Sequence, residues 1–69
     1  MKHLMLHDEI ATICVPIHHI RSVSIVKDTK YAWYLTIRYG DELSWRELYA
    51  DEKKATQRFN DILKMIEEA

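Results

Sequence analysis

All four histidines of this 69-residue chain, His3, His7, His18 and His19, lie within its first nineteen positions, together with its one cysteine, Cys14, and the acidic pair Asp8-Glu9. Imidazole, thiol and carboxylate are the groups that ligate metals and carry acid–base or nucleophilic chemistry. Their spacing argues against each use. A zinc site needs about four converging ligands, with the second nitrogen of each histidine oriented by a neighbour. On a strand, His3 and His7 point to one side but stand about 13 Å apart, and the adjacent His18 and His19 are expected to point apart. These read as surface or turn histidines whose charge responds to mild acid. Cys14 sits in ATICVPI between Ile13 and Val15, a strand-like setting that predicts a buried structural thiol rather than one activated by a cation or a helix N-terminus. One cysteine closes no internal disulfide and builds no four-cysteine zinc site. There is no glycine-rich phosphate loop or GKS-type element, and a single glycine leaves little scope for backbone anion nests. No carboxylate pair has catalytic spacing. The expectation is a protein that is not an enzyme and has no cofactor or metal.

The remaining pattern with functional character is a set of aromatic residues interleaved with basic ones. Tyr31, Trp33, Tyr34, Arg38, Tyr39, Trp45 and Arg46 fall in one stretch, with Arg21, Lys27 and Lys30 nearby. Sheets that bind single-stranded nucleic acid combine stacking aromatics with cations in this way. Tyr, Trp and Arg are equally the residues enriched at protein-interface hot spots. A core needs Trp33, Leu35, Ile37 and Tyr39, which leaves Tyr34, Arg38, Trp45, Arg46 and Tyr49 as the candidate interface. Ten basic side chains against eleven acidic ones, a net charge of −1, weigh against a nucleic-acid binder driven by bulk charge. The charge is uneven, however: residues 1–40 carry a net +2 and residues 41–69 a net −3, a polarity suited to oriented docking on a partner.

The elements that must position these residues are legible from periodicity. Ala55, Phe59, Ile62, Ile66 and Ala69 recur at the spacing of one helical face, widened by Leu63, while Lys54, Gln57, Arg58, Asp61, Lys64 and Glu68 are left mainly for solvent. Asp51 is a favourable N-cap and Glu52 suits the first turn, so a helix is expected from about 51 to 67. Upstream the period changes to two. Trp33, Leu35, Ile37 and Tyr39 alternate with Ala32, Tyr34, Thr36 and Arg38, and Gly40-Asp41-Glu42 makes the turn into a second run, where Leu43, Trp45, Glu47 and Tyr49 alternate with Ser44, Arg46 and Leu48. Earlier, Val23 and Ile25 alternate with Ser22, Ser24 and Val26, and Asp28-Thr29-Lys30 reads as the turn that follows. Pro16 should end the strand that contains Ile13 and Val15, with the next residues forming a tight or 3₁₀ turn that tucks Ile17 or Ile20 under the sheet. His7-Asp8-Glu9 should turn the chain out of a first, edge strand. The expected architecture is α+β and a single domain over 1–69. It has an antiparallel sheet of four to five strands, at about 2–6, 11–15, 21–27, 32–39 and 43–49, with one C-terminal helix packed on one face.

Size sharpens that picture. A chain of 8.3 kDa buries only about 60% of its unfolded surface, so it holds one small core. No run of about eighteen apolar residues is present, and the charged start MKHLMLHDEI lacks the features of a signal peptide, so a cytoplasmic protein with no membrane partner is expected. One helix covers one sheet face, yet both faces of the central strand carry large side chains. The face with Tyr34, and with it Trp45 or Tyr49, is therefore expected to meet a protein partner or a second copy, as a dimer or higher oligomer.

The layout also resembles many small proteins of bacteriophages and mobile elements. The segments that carry the likeness are VPIHHI, RSVSIV, the Trp-bearing strand, and the helix start given by Tyr49, Asp51, Glu52 and Ala55, over residues 11–69. The resemblance is one of architecture. It implies an accessory or inhibitor protein that acts stoichiometrically on a host complex. It carries no residue over as functional. The other expectations from composition are a nucleic-acid or nucleotide-binding protein using the aromatic and basic face, and a structural subunit of a larger assembly.

Overall fold

The computed structural model describes residues 2–29 and 32–68 and, for residues 28 and 29, the backbone alone. In chain order the elements are β1 (His3–His7), β2 (Thr12–Pro16), a 3₁₀ turn (Ile17–His19), β3 (Ile20–Thr29), β4 (Ala32–Tyr39), β5 (Leu43–Tyr49) and α1 (Glu52–Glu68). All strand pairs are antiparallel, and they form two sheets: the hairpin β1–β2 and the meander β3–β4–β5. The α+β class is as expected, but the single sheet of four to five strands is divided. Pro16 explains the division. It lacks the N–H a continuing ladder needs, it is the last residue of β2, and the 3₁₀ turn follows at once. The turn buries Ile17 beneath the meander and leaves β3 to start a second sheet.

Short-range polar chemistry sets the corners. Asp8 Oδ1 accepts from the backbone N–H groups of Ile10 and Ala11, both at 2.8 Å, and Asp8 N–H donates to the Ala11 carbonyl at 3.0 Å. Those N–H donors, Ala11 first, hold the Asp8 carboxyl below its ordinary value, so what the turn gains from the charge is lost as pH falls through that lowered value. Gly40 has φ +61° where β4 reverses into β5, the left-handed conformation that glycine adopts without strain. Its N–H donates to the His19 carbonyl, and its own carbonyl accepts from Arg21 Nε. Asp51 caps α1 by accepting from Lys53 N–H at 2.9 Å. The segment 28–29 belongs to β3, where Thr29 pairs with Ala32, so Asp28 and Thr29 of the expected Asp28-Thr29-Lys30 turn are strand, and the rest of that expectation falls on Lys30 and Tyr31. Those two lie outside the described residues, as does Ala69.

The core is a single cluster drawn from every element. Leu4 and Leu6 of β1, Val15 of β2, Ile17, Leu35 and Ile37 of β4, Trp45 of β5 and Ile62 of α1 are buried together, with Val23, Ile25, Phe59, Met65 and Ile66 packed against them. The helix and the inward side of the hairpin both meet the inner face of the meander. An isolated helix of this length is marginal in water, so α1 owes its stability to that contact. One expectation fails here. Cys14 is exposed, because alternation turns its neighbours Ile13 and Val15 toward the core and Cys14 away from it, opposite Met5.

Ile62 has no solvent exposure, and Ile62→Ala leaves a cavity where α1 meets the sheet. The expected cost is about 3 kcal/mol, a large share of the roughly 3–10 kcal/mol available to a domain of this size. Urea unfolding followed by circular dichroism should show the midpoint fall sharply with an unchanged slope.

Candidate functional site

Strand register sorts the meander into two faces. On the inner face β4 carries Leu35 and Ile37, and Ile37 pairs with Trp45 and Trp33 with Tyr49. On the outer face three cross-strand rows run side by side: Val26–Tyr34–Leu48, Ser24–Thr36–Arg46 and Ser22–Arg38–Ser44. The first row is apolar and open, with Val26 54% and Leu48 62% exposed. The Arg46 guanidinium lies 5.1 Å from the centroid of the Tyr34 ring, within cation–π range, and Arg38 is exposed one row beyond Thr36. No ion pair among the described residues uses Arg38 or Arg46.

Of the five interface candidates, the structure brings Tyr34, Arg38 and Arg46 together on this open face. Trp45 and Tyr49 are on the other side: Trp45 is buried in the core and Tyr49 is half-buried against it. Their placement on the uncovered face is corrected by the pairing of Trp45 with Ile37. The alternation of β5 was legible, but its phase depends on that pairing.

Between Trp45 and Tyr49, on the same inner face, stands Glu47, with only 15% of its side chain exposed. Its carboxylate accepts from Trp45 Nε1 at 3.2 Å, Tyr49 OH at 2.9 Å, Arg58 Nε at 3.1 Å and Arg58 Nη2 at 3.4 Å. The two-pronged contact from Arg58 is the fork geometry a guanidinium favours. Arg58, expected to face solvent, is instead turned inward, 28% exposed at the side chain. The signal for it was present: a carboxylate in an otherwise apolar period-two set requires a cation from another element. Tyr49 feels this surrounding. Burial first, then donation of its O–H to Glu47 and the nearby negative charge, raise its phenol above the ordinary 10.0, with Arg58 opposing.

The histidines do not assemble a site. His18 and His19 do not diverge as expected, because the 3₁₀ turn sets their rings edge to face with centroids 4.7 Å apart. They border a shallow depression with Arg21, Gly40 and Asp41, where Arg21 and Asp41 approach to 3.7 Å. Among the described residues, no three His, Cys, Asp or Glu side chains converge as a metal-ligand group, and no helix is long and apolar enough to cross a membrane.

Removing Arg58 strands a mostly buried carboxylate. Arg58→Met should cost about 2–3 kcal/mol, below the 3–5 of a fully dry pair because both side chains keep some solvent, while Glu47→Gln with Arg58→Met together, which removes the charge but leaves an acceptor for Trp45 and Tyr49, should recover part of the loss in a double-mutant cycle. The raised phenol of Tyr49 stabilises the fold below pH 10 and that contribution is lost as pH rises through its raised value. Spectrophotometric titration should place Tyr49 ionisation above 10.0 in the wild type and nearer to it in Glu47→Gln.

No protein-family model, curated protein or solved structure matches the chain.

Proposed function

We propose that this chain is a protein-binding module that acts stoichiometrically rather than catalytically, docking through the open face of β3–β4–β5 onto a surface that offers apolar groups beside carboxylates. The observation that carries the reading is the exposed row Val26–Tyr34–Leu48 flanked by Arg46 and Arg38. An apolar strip with cations along one side is complementary to an apolar strip with acids along one side. Such stoichiometric action is also what the likeness to small phage and mobile-element proteins implies.

Two competing occupants fit less well. Single-stranded nucleic acid stacks bases on free aromatic faces, whereas the one aromatic here already has Arg46 against its ring, and the aliphatic Val26 and Leu48 offer a base nothing specific. A second copy docked face to face would meet the same patch on itself, bringing two pairs of arginines together. Three strands about 4.8 Å apart and three rows about 6.7 Å apart span roughly 300 Å², less than the about 800 Å² per partner of a stable complex. Binding in the micromolar range is therefore expected.

A photo-reactive residue at position 48, in the otherwise intact chain, tests this in the source cell. It should crosslink to one defined protein, and the purified pair should bind with a micromolar Kd that Arg46→Glu and Leu48→Asp each weaken at least about tenfold, with melting temperatures unchanged. Wild-type affinity in both variants overturns the proposal. So does crosslinking to the chain alone, a large symmetric assembly in sedimentation, or salt-dependent binding of short single strands in place of a protein.

A further inference from the structure

The second exposed face belongs to the β1–β2 hairpin, and its composition is chemically distinct. With Leu4, Leu6 and Val15 directed into the core, the side chains directed outward are His3, Met5 and His7 on β1 and Thr12, Cys14 and Pro16 on β2. The register sets Met5 directly opposite Cys14, with His3 and His7 as the flanking same-face residues of β1. Methionine and cysteine are among the residue types most often buried, yet Met5 is 55% exposed and Cys14 is exposed beside it. This face therefore presents a thioether, a thiol and two imidazoles side by side, and no carboxylate.

We propose that this face binds one soft monovalent metal ion, copper(I), through Cys14 Sγ, Met5 Sδ and the imidazole of His3. Thiolate and thioether donors select copper(I) over hard cations, and imidazole suits it as a third ligand. The strand geometry allows one ion to reach all three. Directly opposed Cβ atoms stand about 4.5–5.5 Å apart and diagonal neighbours about 7–8 Å, while His3 is one same-face step of about 6.7 Å from Met5. The donor atoms lie one bond beyond Cβ in cysteine, two in methionine and two or three in histidine, so an ion above the hairpin is within reach of all three. His3 is the imidazole assigned because the cross-strand bond of His7 Nδ1 to Thr12 Oγ1, 2.7 Å, holds that ring over Thr12 rather than over Cys14, whereas no hydrogen bond among the described residues fixes the His3 ring. The thioether also separates this site from a His, Cys, Asp and Glu cluster, none of which is found here. Binding forms a copper–sulfur bond and releases the Cys14 S–H proton to solvent, with the metal remaining copper(I) throughout. The site does not depend on the open face of β3–β4–β5, and the two stand or fall separately.

The test uses the full chain, reduced and under anaerobic conditions, with copper(I) supplied from a chromogenic chelator in competition and silver(I) as a redox-inert probe by NMR. One ion per chain is expected, with silver(I) shifting the resonances of His3, Met5 and Cys14 together and copper(I) raising the melting temperature. Cys14→Ser should weaken binding at least about 100-fold, and Met5→Leu and His3→Asn roughly tenfold each, while His7→Asn binds as the wild type. All four side chains are exposed, so the variants should melt as the wild type does without metal. Binding by Met5→Leu or His3→Asn at wild-type affinity shows a bare thiol acting alone and overturns the proposal. So does a stoichiometry of one ion to two chains, or wild-type affinity in Cys14→Ser.

Discussion

Glu47 and Arg58 join the two parts of the molecule that cannot stand alone, the three-stranded meander and the single helix. Most of the attraction between them is apolar, from Leu35, Ile37 and Trp45 against Ala55, Phe59, Ile62 and Ile66, and apolar contact is non-directional. It presses the helix onto the sheet without choosing an azimuth or a position along the strands. The carboxylate does choose. It takes both prongs of one guanidinium eleven residues away, and its remaining hydrogen-bonding capacity is filled by the indole of Trp45 and the phenol of Tyr49. A polar cluster satisfied in this way adds little net stability over an apolar replacement. What it adds is specificity, because any slip of α1 against β5 would leave a carboxylate short of partners in a nearly dry place.

The consequence for function comes from size. With one helix and one hairpin available, only the inner face of the meander can be covered, and the core uses all the cover there is. The outer face is left to Val26, Tyr34 and Leu48 with their arginines, and the outward side of the hairpin to Met5, Cys14 and the histidines. A larger domain would bury such groups under a further layer. Here they are held at the surface on strands, which fix side-chain positions more firmly than loops do.

How much of this was legible in the sequence follows from which features are local. The spacing of Ala55, Phe59, Ile62 and Ile66, the cap at Asp51 and the alternation of Trp33 to Tyr39 are local, and the helix and the central strands are where they should be. Pro16 and the turn burying Ile17 were legible for the same reason. Phase was not. Alternation divides β2 and β5 into two sets, but only pairing with a neighbour says which set is inner, and Cys14, Trp45 and Tyr49 each fell on the side opposite to expectation. The contact of Arg58 with Glu47 spans two elements: the alternation of β5 shows that Glu47 shares a face with Trp45 and Tyr49, but not which cation meets it. The division into two sheets depended on whether the chain could continue pairing beyond Pro16, which is a question of geometry after a missing donor.

Phase also answers the question the charge raised. The chain is a net +2 half followed by a net −3 half, but the open face does not inherit its sign from either. Arg38 comes from the basic half and Arg46 from the acidic one, and they meet because Thr36 pairs with Arg46 and Arg38 with Ser44. One residue after Arg46, Glu47 points inward and is neutralised by Arg58. A strand separates consecutive side chains onto opposite faces, so β5 sends its positive charge to the surface and its negative charge to the core. A slip of one residue would reverse this, exposing Glu47 and Tyr49 and burying Arg46 and Leu48. The interaction that holds helix to sheet is therefore also the one that keeps the open face apolar and cationic, and it does so from the other side of the strand.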